Sequence, residues 1–212
     1  MFGLLFGLTL NIGCKSEIDG KEAAVVKDVS SSNTAKPATD PATKVVDKKP
    51  EEKKIASSAG GMKLTPTSKV EWVGAKVTGD HTGGFKTVTG EAKQEDGKLT
   101  SLTASIDINS VFSDHPKLTK HLLNDDFFSV AKFPTATFSS TKIEEGKITG
   151  ILDMRAIKKQ ITFPATVSVS KESIDIKAEF SINRRLWEVN YDGKANNLIK
   201  DDVLIKLDVQ YK

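Results

Sequence analysis

His121–Ser140 reads HLLNDDFFSVAKFPTATFSS. Its twenty residues hold a histidine, two adjacent aspartates, four phenylalanines and a proline. Two readings compete. His121, Asp125 and Asp126 could form an acid–base or metal cluster, which would make an enzyme. Alternatively, Asn124-Asp125-Asp126 ends a short helix and turns the chain, so that Phe127 and Phe128 enter an apolar core.

The residue spacing favours the turn. Zinc sites take three or four ligands at short characteristic spacings. Here His115 and His121 are six apart, His81 is remote, and Cys14 is the single cysteine. General acid–base work needs a partner held beside the carboxylate. No Gly-x-Ser-x-Gly elbow and no phosphate-cradling glycine loop supplies one. The expectation is therefore no catalytic residue and no metal. LTKHLL before the acids is long enough for one or two helical turns. Pro134, which lacks an N–H, suits the start of a strand carrying Ala136 and Phe138 on one face.

Outward from this stretch the pattern has period two. Val70, Trp72 and Gly74 alternate with Glu71, Val73 and Ala75. Leu102, Ala104, Ile106 and Ile108 repeat the pattern, as do Ile148, Gly150, Leu152 and Met154. It continues in Ile161–Val169, Ile174–Ile182 and Val203–Tyr211. Strict alternation marks half-buried strands. With Phe85–Glu95 and Thr135–Glu144 the count is about eight. Asp96-Gly97 and Glu145-Gly146 are tight hairpin signals, because Gly accepts positive φ. Two links are long, Ser110–Lys132 and Asn183–Asp201, and such links cap an end or line a site. A closed barrel and a two-sheet sandwich both satisfy this pattern.

The charge argues against a nucleic-acid partner. The net charge is +3, with Lys+Arg 31 against Asp+Glu 28, far from the strong positive field such binding uses. Lys15–Met62 differs in kind. It is rich in Lys, Glu, Ala, Ser and Thr, includes Pro37, Pro41 and Pro50, and lacks aromatics. Residues 15–62 are expected to form a disordered tether, with an end-to-end distance of about 40 Å for a flexible coil. Before it, MFGLLFGLTLNIG is too short to span a bilayer and matches a signal-peptide core. The Gly13-Cys14 junction resembles the lipobox of bacterial lipoproteins. It departs from it in that Leu10 lies four residues before Cys14 rather than three, and Asn11 fills an apolar place. Residues 1–14 are thus expected to be a signal peptide, with Cys14 lipidated and the protein membrane-anchored in the periplasm or at the cell surface.

The opening stretch, with four others in order, resembles the YceI-like, polyisoprenoid-binding family. His121, Leu122, Asp126, Phe127, Phe128, Val130, Phe133, Pro134, Ala136, Phe138 and Ser140 fit that family's signature, with Asn124 in place of a common Ser. Ser68–Phe85, Leu102–Val111, Gly146–Pro164 and Phe180–Tyr191 are similar to further family blocks. Departures are Asp153, Ala156 and Lys158, where Thr, Gly and Thr are usual, and Glu188, where Gly is common. Because Ala disfavours positive φ, the turn at Ala156 is expected to adopt another type.

The resemblance implies that residues 63–212 form an all-β, eight-stranded, antiparallel up-and-down lipocalin-like barrel with one short helix. It implies an apolar lumen for a long isoprenoid, a quinone-like lipid or a similar amphiphile, and no other cofactor. The lumen candidates are Trp72, Leu102, Ile106, Phe138, Leu152, Phe163, Ile176 and Phe180. His81, Lys86, Arg184 and Arg185 are candidates to meet a head group. The resemblance also leaves room for a homodimer. The rival binding reading is a surface-exposed β-barrel lipoprotein that meets a protein partner through its loops.

Overall fold

The computed structural model describes residues 16–29, 61–194 and 197–212. The signal-peptide reading with Cys14, and the tether reading over 30–60, lie outside the described residues.

Alternating sequence gives alternating burial. In β3 (Lys69–Lys76) and β4 (Gly79–Phe85), a turn at 77–78 joins two antiparallel strands. There follow β5 (Val88–Glu95), β6 (Lys98–Asp107), the short β7 (Val111–Ser113), and α1 (Pro116–Leu122). Next are β8 (Thr135–Glu144), β9 (Lys147–Met154), β10 (Ile157–Pro164) and β11 (Thr166–Val169). β12 (Ile174–Asn183), β13 (Gly193–Lys194) and β14 (Asn197–Tyr211) complete the domain. Two pieces precede them, β1 (Val25–Asp28) and β2 (Met62–Lys63).

The architecture is all-β with one short helix, but it is not a closed eight-stranded barrel. Two seven-stranded sheets face one another, ordered β1-β10-β9-β8-β6-β5-β2 and β11-β12-β14-β3-β4-β7, with β13 paired to β14. The strand-to-strand pairings are antiparallel. The count exceeds eight because β1, β2, β4, β7 and β13 lie outside the alternating runs, and the run Ile161–Val169 breaks where the chain changes sheet. β4 belongs to one sheet and β5 to the other, with a bend at Lys86–Thr87. β10 and β11 likewise part after Pro164. Strands that switch sheets at such bends make the corners of two-sheet packings. At one seam, Lys63 and Lys212 exchange backbone hydrogen bonds (2.7 and 2.9 Å), and Leu64 and Thr65 donate to Gly90 and Gln210.

The core lies between the sheets. Ile148, Ile174, Ile176, Leu102, Phe163 and Phe180 are buried there, and Trp187 is fully enclosed, its indole N–H 3.4 Å from the Leu152 carbonyl. α1 begins at His115, whose Nδ1 accepts the Lys117 N–H (3.2 Å), with Pro116 in the first turn. That cap satisfies an otherwise orphaned helix donor.

The turn after β9 overturns the expectation for Ala156. Arg155 and Ala156 both adopt positive φ, 53° and 59°, as the primed hairpin turn demands. No Gly is present, so tertiary contacts made by Arg155, described below, hold the conformation.

The reading of 15–62 as one tether also fails at its start. Residues 16–29 form a strap along the domain. Ser16 Oγ reaches both Asp80 carboxylate oxygens at 3.0 Å. Ile18 is buried with Val73, Ala75 and Leu204 on the outer face of the β3/β14 sheet. Lys21 pairs with Glu179 (2.7 Å), and Ala24 donates to Ser181 (2.8 Å). β1 then adds to the free edge of β10, Val25 opposite Thr162. One buried isoleucine, ion pairs and an available strand edge order a polar segment that its composition alone would leave unfolded.

Candidate functional site

An apolar cavity of about 260 Å³ runs between the sheets. All eight lumen candidates line it: Trp72, Leu102, Ile106, Phe138, Leu152, Phe163, Ile176 and Phe180. Aromatic rings form part of the wall. Phe163 stacks on Phe180 with centroids 4.4 Å apart, and Phe138 lies 5.7 Å from Phe163. The two ends differ. Toward the 145–146 turn the lining residues Ile148, Ile176 and Tyr211 are buried. Burial also pushes the Tyr211 phenol pKa up. Toward the 77–78 turn the lining residues Lys76, His81 and Ile199 are only half-buried. The cavity therefore has a closed end and an open end.

Two glycines seat the rings. A Cβ on Gly83 would come within 2.3 Å of the Trp72 indole, and one on Gly150 within 2.3 Å of the Phe138 ring. Any side chain there would displace the aromatic residue. Trp72 is 8% exposed and its indole N–H has no hydrogen-bond partner among the described residues. An unpaired buried donor costs about 1–3 kcal/mol, so an acceptor arriving from outside would be favoured.

The polar candidates fall into different places. His81 lines the cavity, with Nδ1 3.0 Å from Asp114. Arg184 also lines it and is 5% exposed, but its N–H groups go to the carbonyls of Lys200 (3.2 Å) and Val189 and to Asp201 (3.4 Å). Burial and then the neighbouring Arg185 lower its pKa. Arg185 is pinned between Asp192 and Asp201 (2.6 Å) and does not line the cavity. Lys86 is exposed at the β4–β5 bend, away from the lining.

The acids of the opening stretch separate. His121 Nε2 meets Asp126 at 2.7 Å and is stacked edge-on against Phe127 and Tyr191, centroids 4.9 and 4.5 Å away. Asp125 instead accepts from Ser129 Oγ at 2.6 Å and lies 3.4 Å from Lys132. The Ser129 hydroxyl, then Lys132, lowers the Asp125 pKa. The result is a turn: Phe127 and Ser129 donate to Asn124, and Phe128 to Leu122. It sends Phe127 and Phe128 into the cavity wall beside Leu118 and Leu122 of α1. Among the described residues no group of three His, Cys, Asp or Glu is arranged to hold a metal ion.

Sequence reasoning missed two contributors. Ile199 lines the open end, but β14 shifts register between it and Val203, where the alternating run read from the sequence begins. Arg155 donates to the carbonyls of Phe127 and Asp125 (3.4 Å for the latter) and lies 5.4 Å from the Phe133 ring. A lone arginine in a turn gave no signal of that anchoring role.

The apolar cavity the resemblance implied is present, but it lies between two sheets rather than inside a closed eight-stranded barrel. The profile of the YceI-like domain family matches residues 62–211. The chain belongs to that family. Among curated relatives, it is 42% identical over 79 residues to a UPF0312 protein of Shewanella denitrificans, spanning 35% of this chain and 40% of that protein. It is 35% identical over 95 residues to Protein YceI of Salmonella arizonae, 39% of this chain and 50% of that one. These alignments thus span half or less of the curated relatives they match. Among solved structures, BcnA of Burkholderia cenocepacia superposes with a TM-score of 0.61 at 24% identity, covering 68% of this chain and 96% of BcnA. A polyisoprenoid binding domain from Saccharophagus degradans superposes with a TM-score of 0.59 at 16% identity, covering 72% and 99%. At such identities the likeness to these structures is one of fold.

Proposed function

We propose that this YceI-like chain is an exported binding protein that holds a long isoprenoid, or a similar amphiphilic lipid, in the cavity between its sheets, without catalysis. The apolar cavity, enclosed at one end, carries this reading. Moving a prenyl chain from water into such a lining is favourable by about 0.8 kcal/mol per buried CH₂. Its volume sits near the lower edge of the roughly 300–1,000 Å³ usual for small-molecule sites, so a long chain fills it and continues through the open end. That the Saccharophagus degradans neighbour is a polyisoprenoid binding domain supports the same class of ligand. The unpaired Trp72 N–H suits an oxygen near the enclosed part of the chain.

The test is direct. Purified full-length protein, extracted with organic solvent and analysed by mass spectrometry, should yield a prenyl lipid, or the protein should take up added solanesol stoichiometrically. Protein that arrives empty and takes up none refutes the proposal and favours a protein partner for the loops. Anchoring through acylated Cys14 belongs to the same reading. Cys14→Ser should release the protein from membranes.

A further inference from the structure

The open end of the cavity has a second property. Large hydrophobic side chains stand exposed on its rim. Val77, at the tip of the β3–β4 turn, is 74% exposed, and Leu198, at the start of β14, is 53% exposed. They are adjacent, since the Val77 N–H donates to the Leu198 carbonyl at 3.2 Å. The neighbours on either side, Lys76 and Ile199, are paired across the same strands and line the cavity. An apolar tip therefore sits directly beside the entrance, where burial in a lipid phase would be favourable.

The strap begins at the same place. Ser16 is bonded through its hydroxyl to Asp80, and the Glu17 N–H reaches Asp80 at 3.0 Å, within the β3–β4 hairpin and one residue before the cavity-lining His81. Glu17 and Asp19 are held by Lys206 and Lys200 of β14. The chain upstream of Ser16 thus departs from the open end, and its sequence there is the apolar run Met1–Gly13. Cys14 is two residues from Ser16, a reach of at most about 7 Å. A membrane attachment at either feature holds the open end against the bilayer, not about 40 Å from it. The rim carries both charge signs, Lys76 against Asp80 and Asp114, so apolar contact rather than charge makes the attachment.

We infer that the rim formed by Val77 and Leu198 is a bilayer-docking surface, through which lipid passes between the membrane and the cavity. The inference rests on the lipid-binding reading and adds the partner and the route. Its test uses the full-length chain and a decaprenyl benzoquinone, whose ring quenches tryptophan fluorescence once it enters beside Trp72. The quinone is offered from phosphatidylcholine vesicles or from detergent micelles. Val77→Asp with Leu198→Asp should slow uptake from vesicles at least fivefold, leave uptake from micelles unchanged, and be insensitive to added salt. Val25→Asp, on the exposed strap, should match wild type from both sources. Vesicle uptake by the double variant at the wild-type rate overturns the inference while leaving the lipid reading intact. Wild-type protein that is quenched from neither source overturns both. A slow variant that has also lost a dimer seen by sedimentation assigns the rim to a second copy and overturns the inference. Should the double variant load poorly from micelles, Val77→Phe decides. It should speed vesicle uptake, and an unchanged or slower rate refutes the docking surface.

Discussion

Arg155 donates its guanidinium to the carbonyl of Phe127, so the β9–β10 turn is latched to the lid that closes over the lumen. The same side chain faces the Phe133 ring. Arg155→Met should free the 124–133 loop while keeping the aliphatic stem. A hydrogen bond from a charged group is worth about 1.5–3 kcal/mol, and partial exposure puts this one at the low end. The expected outcome is a drop of a few degrees in melting temperature and lipid release accelerated several-fold, followed by stopped-flow displacement.

The next residue is predicted to respond in the opposite direction. Ala156 holds φ 59° without being Gly. The left-handed region costs a non-glycine residue about 1–2 kcal/mol. Ala156→Gly should stabilise the protein by about 0.5–1 kcal/mol, allowing for the greater entropy of Gly in the unfolded chain. Urea denaturation should show a higher midpoint with an unchanged slope.

Gly150 opposite Ser140 leaves room for the Phe138 ring. Gly150→Val would drive Phe138 into the lumen or off its rotamer, at about 1–3 kcal/mol. The variant should melt earlier and bind less lipid, and a Phe138→Ala background should restore part of the lost uptake.

Trp72 should distinguish lipids by their oxygen. Trp72→Phe removes the unpaired donor and keeps an aromatic ring in the wall. Competition binding should show affinity for a prenyl alcohol or quinone falling about three- to tenfold, as expected for one hydrogen bond. Affinity for squalene, a hydrocarbon, should change little. Equal losses for both would limit Trp72 to a packing role.

Low pH should loosen the two long links. The hydrogen bond and charge of Arg185 hold the Asp192 carboxyl below the usual carboxylate range, and Ser129, then Lys132, do so for Asp125. Their folded-state values lie below the unfolded ones, so each favours folding above about pH 4. That contribution is lost as pH falls through the depressed values. The melting temperature should therefore fall between about pH 4 and 2. Arg185→Gln should return the NMR-titrated Asp192 toward ordinary behaviour.

The legible parts of this chain were those where one apolar face repeats. Val70–Trp72–Gly74, Leu102–Ile108 and Ile174–Ile182 gave strands and inward faces at once, and the five lumen candidates on those faces line the cavity, as do Phe138, Leu152 and Phe163 from other strands. β4 was hidden, because GDHTGGF has too few side chains to alternate: Gly83 and Gly84 leave space for Trp72 and Phe112. β1 was hidden because VVKD gains order only from the free β10 edge, a relationship no local pattern encodes. The partners of the arginines were hidden for a related reason. Arg184 and Arg185 have the chemistry to bind a head group, yet their partners, Asp192 and Asp201, lie far enough along the chain that only the folded link brings them together. The opening histidine and aspartates, by contrast, were read from turn chemistry, and the hydrogen bonds around Asn124 follow it.

The strap has a practical corollary. Residues 16–29 are stapled to the body and Met62 rejoins it at β5, so the segments on both sides of 30–60 are fixed to the same domain. Changing the length of that excursion would not alter how far the domain stands from whatever secures its amino terminus. An epitope or fluorescent reporter could be spliced there without re-aiming the protein.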